Sequence, residues 1–137
     1  MLNYLAAYLG TGVVFAIVDT VWLTTLSTKV YRPTLDPVLA EKVSMGPAIA
    51  FYLIYIAGIV FMAVAPALRE GRWHRAALNG AVLGFVAYAT YDLTNQATLK
   101  VWALHLTLID ITWGTILTGF ASVGGYLAAR SVKPRLS

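Results

Sequence analysis

The chain has 137 residues, of which 59% are hydrophobic and 12% charged, with a mean hydropathy of +0.72. A soluble globular chain carries roughly 25% charged residues and a membrane span uses about 20 apolar ones, so four spans fill most of the chain and leave no room for a separate soluble domain. The absence of cysteine excludes disulfides, thiolate nucleophiles and Cys-ligated metal clusters, and the cations behind the net charge of +4 flank apolar runs, where they orient spans and meet lipid headgroups rather than nucleic acid.

Met1-Leu2-Asn3-Tyr4 holds no Lys or Arg, and the apolar run behind it is long and contains Asp19, which argues against a cleaved signal peptide. That run predicts a first helix over residues 4–26. Residues 27–46 form the longest connection, with Lys29, Arg32, Pro33, Asp36, Pro37, Glu41 and Lys42, and have the length for a short interfacial helix. A second helix is expected over 47–67. Pro47 suits its first turn, where the missing N–H costs nothing, and Pro66 with the polar residues after it marks its end. A third helix is expected over 76–99 and a fourth over 101–129, joined tightly as an antiparallel hairpin. The fold class is therefore all-α: one membrane domain, a four-helix bundle running up-down-up-down. Cytoplasmic termini put Arg69, Arg72, Arg75, Arg130, Lys133 and Arg135 inside and Lys29, Arg32, Lys42 and Lys100 outside, a positive-inside count of six to four.

Three carboxylates, Asp19, Asp92 and Asp110, fall inside expected spans, where an Asp costs roughly 2.5–3.5 kcal/mol at the helix centre and normally faces protein or water. At about 1.5 Å per residue, all three lie roughly 10–14 Å below the outer surface. The helical period puts Phe15, Asp19 and Trp22 on one face, Tyr88, Asp92 and Asn95 on another, and Asp110 and Trp113 on a third. An internal echo relates Asp19-Thr20-Val21-Trp22-Leu23-Thr24-Thr25-Leu26 to Asp110-Ile111-Thr112-Trp113-Gly114-Thr115-Ile116-Leu117 at Asp, Trp, Thr and Leu. Each Asp thus precedes by three residues an indole that can donate N–H, present a π-face to a cation, or simply pack. The candidate ligand or proton site comprises Asp19, Asp92, Asp110, Asn95, Trp22, Trp113, Tyr88 and His105. Tyr52, Tyr55 and Met62 are read as core or lipid contacts, and Gly80-Ala81-Val82-Leu83-Gly84 as a close-packing motif. His74 is read as interfacial. No hydrolase, nucleotide-binding or metalloprotease motif occurs, no catalytic residue is assigned, and no cofactor or metal is called for.

The segments Asp19-x-x-Trp22-Leu23, Phe51-Tyr52-Leu53-Ile54-Tyr55-x-x-Gly58, Tyr88 to Trp102 and Asp110-x-x-Trp113-Gly114 make the chain resemble a bacterial family of small membrane proteins catalogued as domain of unknown function 2177. The resemblance spans nearly the whole chain. It implies a four-helix, multi-pass protein of the bacterial cytoplasmic (inner) membrane and carries no assigned chemistry. Three functions fit the residues. The leading one is binding or conduction of a proton, cation or small amphipathic ligand at the carboxylates. The others are an accessory subunit whose Asp residues clasp helices, and an enzyme acting on a lipid or isoprenoid. Expected partners are membrane lipids and either a second copy or a larger membrane complex, with no nucleic acid. A wet enclosed cavity at the Asp level favours the first function, direct Asp–Trp or Asp–Asn hydrogen bonds without a cavity the second, and an elongated apolar cleft the third.

Overall fold

The structure, a computed structural model, describes residues 2–39 and 44–132. The expected roles of Glu41, Lys42, Lys133 and Arg135 lie outside the described residues. Four long helices carry the fold: α1 (Leu2–Leu26), α2 (Met45–Glu70), α3 (Trp73–Thr98) and α4 (Leu104–Val132). There is no strand among the described residues. After α1 the chain continues through a π-helical turn at Ser27–Tyr31, one α-turn at Arg32–Leu35 and a 3-10 turn at Asp36–Val38. The described part of the connection, residues 27–39, is thus helical in short pieces.

The first helix sorts its residues by face. On α1, Ala7, Thr11, Phe15 and Asp19 recur every fourth residue and are buried, while Leu5, Leu9, Val13, Ile17 and Val21 recur at the same spacing and are exposed. Apart from Phe15, the large apolar side chains of these two rows point outward and the small or polar ones inward, the arrangement suited to a chain whose solvent is hydrocarbon. Exposed threonines satisfy their hydroxyls locally: Thr90, Thr112 and Thr24 each donate to the carbonyl four residues back.

Small residues set the packing. A Cβ on Gly80 would meet Ser122, and one on Gly84 would lie 2.8 Å from the Thr118 side chain, so α3 approaches α4 at backbone distance with antiparallel register. On the other side of α4, a Cβ on Gly124 would meet Val14, and one on Gly125 would stand 3.0 Å from the Ala7 carbonyl, which runs α1 antiparallel to α4. α2 closes the bundle against α1 and α3 through Phe15–Tyr52, Phe15–Tyr55 and Tyr55–Tyr88 ring contacts.

Pro66 does not end α2. The backbone widens into a π turn at Val60–Val64 and resumes α geometry at Ala65–Glu70. Lacking N–H, Pro66 cannot bond the Met62 carbonyl four residues back, and Asn79 Nδ2 on α3 donates to that carbonyl at 3.2 Å instead. The helix stops one turn later at Gly71, whose φ of 70° is the left-handed conformation glycine adopts without steric cost, with its N–H on the Ala67 carbonyl at 2.8 Å.

Length and composition qualify α1, α2 and α4 as membrane spans, three helices rather than the expected four. α3 has the length, with 26 residues, but carries His74, Arg75, Asn79, Asp92, Asn95 and Gln96. Its polar content lowers its mean hydropathy.

Candidate functional site

The sequence-predicted residues are brought together in part, and the aromatic side chains around them make the connections. Asp19 is 8% exposed and accepts from Tyr52 Oη at 2.8 Å and Trp113 Nε1 at 3.4 Å. The Trp113 indole stacks on Trp22, with ring centroids 4.1 Å apart and planes 9° from parallel. Trp22 Nε1 donates to Tyr31 Oη at 2.9 Å, and Tyr31 Oη donates to Asp110 Oδ1 at 2.8 Å. One continuous network therefore runs from Tyr52 and Asp19 through the stacked indoles to Tyr31 and Asp110.

Asp92 stands at the far end of that network and differs from the other two carboxylates. It is 0% exposed, and neither Oδ atom has a hydrogen-bond partner among the described residues. Its electrostatic neighbour is Asp110. An ionised carboxylate only accepts, so two facing carboxylates offer each other no donor, whereas one proton between them makes one a donor to the other and removes the like-charge repulsion. A buried carboxyl without a partner is costly.

Tyr88 is half-buried, its ring laid over Gly114, and within the electrostatic reach of both Asp19 and Asp110. Asn95, one turn beyond Asp92, lies against Tyr91. His105 is exposed in the first turn of α4 and is not brought into the network. Further out, Trp102 Nε1 donates to Thr107 Oγ1 at 2.9 Å, and Thr107 Oγ1 donates to Gln96 Oε1 at 2.6 Å, tying α3 to α4 at their hairpin.

Two members come from outside the sequence-predicted set. Tyr52, read as a core or lipid contact, is a donor to Asp19, and its neighbour Tyr55 pairs with Thr118 Oγ1 at 2.7 Å. Tyr31 arrives from the connection after α1. Its position turns on the π turn at Ser27–Tyr31, which no periodicity in that segment announces. Burial, and then the Asp110 carboxylate, push the Tyr31 phenol well above its ordinary value of 10.0, so it remains a donor throughout the neutral range.

At the level of the indoles a groove of about 330 Å3 opens between Trp22, Leu108, Ile109, Thr112, Trp113 and Ile116 on the outer surface. Among the described residues no group of three His, Asp or Glu side chains is placed to hold a metal ion together, Asp19 being committed to Tyr52 and Trp113.

Comparison with curated proteins and with solved structures gives no match. A family does match, over residues 4–127, and with it the apolar exterior and the inward-facing Asp, Tyr and Trp residues acquire a common setting. The chain belongs to the family described as Predicted membrane protein (DUF2177).

Proposed function

We propose that this is a four-span protein of the bacterial inner membrane with both termini in the cytoplasm, and that Asp92 and Asp110 form a proton-binding pair at its centre. The observation that carries the pair is Asp92, wholly buried, without a hydrogen-bond partner among the described residues and set against Asp110. Support for α3 as the fourth span comes from its close packing along α4, which turns Asp92 away from lipid. The Tyr31 hydroxyl connects Asp110 to the connection after α1, the side on which a proton enters in this reading, and the Trp22 indole, a donor only, orients that hydroxyl. In this reading Asp19 serves differently, fastening α1 to α2 and α4.

A second reading, an accessory subunit whose carboxylates only clasp helices, draws on the direct Trp113–Asp19 hydrogen bond, the mark expected of that function, and on the bonds of Tyr52 to Asp19 and Tyr31 to Asp110. The two readings part at Asp92→Asn, which keeps the shape of a protonated carboxyl and cannot exchange a proton. A carboxyl pair that binds and releases a proton changes its charge with pH, so the emission of the stacked Trp22 and Trp113 is expected to change with pH in the wild-type protein. Asp92→Asn should leave the far-ultraviolet circular dichroism intact and flatten that profile. A flat wild-type profile, or an unaltered one in Asp92→Asn, transfers the assignment to the clasp.

A further inference from the structure

The other end of the bundle carries a second cavity, of about 620 Å3, where Gly71, Arg72 and Trp73 of the α2–α3 turn face Tyr126, Leu127 and Arg130 of α4. Twenty residues separate Arg130 from Asp110 along α4, roughly 30 Å at the α-helical rise, so this cavity is independent of the carboxylate network.

Its lining contains cations and no acid. Glu70, the carboxylate closest in sequence, is occupied by Arg75 Nε at 2.8 Å, and Arg72 and Arg130 have no carboxylate partner among the described residues. His74 adds a third basic side chain to the wall. The Arg130 guanidinium is positioned by Tyr126, with Nη1 donating to the phenol oxygen at 2.9 Å and the guanidinium carbon 5.7 Å from the ring centroid. A guanidinium has five N–H donors, so this contact orients Arg130 and leaves donors for a ligand. The left-handed glycine turn brings the other wall close: a Cβ on Gly71 would lie 3.7 Å from Arg130 Nη1. The rim is apolar, with Trp73 48% and Leu127 56% exposed. Paired guanidinium forks match phosphate oxygens geometrically as well as in charge, and the volume is that of a small-molecule site.

We propose that this pocket binds a phosphate group, with Arg72 and Arg130 on its oxygens, and the apolar rim points to an anionic phospholipid headgroup as its carrier, Trp73 and Leu127 flanking the acyl chains. The test uses the full chain purified in detergent, with native mass spectrometry after addition of phosphatidylglycerol or phosphatidylcholine, and repeats both titrations with millimolar inorganic phosphate. Phosphatidylglycerol should be retained in preference to phosphatidylcholine. Arg72→Gln, at an exposed position, should weaken that retention about fivefold, and Arg72→Gln/Arg130→Gln roughly thirtyfold. Arg32→Gln, an equal charge loss elsewhere, should leave it unchanged, and Arg72→Lys/Arg130→Lys should recover part of it. Saturable binding of inorganic phosphate with no preference between lipids, still dependent on Arg72, keeps the phosphate site and assigns it a soluble carrier. Equal retention of both lipids without phosphate binding, or an Arg32→Gln effect as large as that of Arg72→Gln, overturns the proposal.

Discussion

Tyr31 joins two members of the network, accepting from the Trp22 indole and donating to Asp110. Tyr31→Phe removes both bonds while keeping the ring near Trp22, where the two rings meet edge to face at 6.5 Å. For a half-buried position the expected loss is about 1 kcal/mol, read as a lowered unfolding midpoint in detergent together with altered Trp emission. Unchanged stability would mean that the bridge holds nothing. The pH dependence has a definite sign. The folded state keeps the Tyr31 proton to higher pH than the unfolded chain does, so this contribution is complete below the unfolded value of 10.0 and is lost as pH rises above it.

At the level of elements, α2 passes through a proline because a neighbouring helix supplies the missing donor. The Asn79 amide stands in for the N–H that Pro66 lacks, on the Met62 carbonyl, and the π turn at Val60–Val64 absorbs the change of register. A double-mutant cycle isolates this contact. Asn79→Leu alone should cost about 0.6–1.7 kcal/mol, the span of interhelical hydrogen bonds measured in membrane bundles. In a Pro66→Ala background the alanine amide can take the carbonyl, and the same Asn79→Leu change should cost little. Equal costs in both backgrounds would show that Asn79 serves something other than the proline.

For the whole molecule, the question is whether α3 crosses the membrane as the other three long helices have the composition to do. Its two ends are marked by Arg72 and Lys100, both exposed. The natural absence of cysteine makes the chain suited to accessibility mapping with single introduced thiols. Four spans with cytoplasmic termini predict that Arg72→Cys and Ser131→Cys react with a membrane-impermeant reagent only from the inside, and Arg32→Cys and Lys100→Cys only from the outside. Labelling of positions 72 and 100 from the same face would leave three spans and remove α3 from the bilayer. Inversion of all four would keep the span count and reverse the orientation.

Composition and the helical period were sufficient for the helices themselves, because in hydrocarbon every backbone polar group must be satisfied within its own segment and apolar runs of about 20 residues have few alternatives. They also turned Asp19 and Asp92 inward, where both are buried, since an Asp turned toward lipid is expensive, while Asp110 is half-buried. The tertiary structure decided the partners. Tyr31 reaches Asp110 across 79 positions, Trp113 reaches Asp19 across 94, and Tyr52, packed against the core, is also a donor to Asp19. It also decided that Pro66 is passed over, that His105 faces outward, and that Asp92 is left without a donor among the described residues. Periodicity reports which face of one helix is polar. Which donor meets which acceptor depends on the register between helices, and that is set by the backbone approach at Gly80, Gly84, Gly124 and Gly125, a property of pairs of helices that no single segment contains.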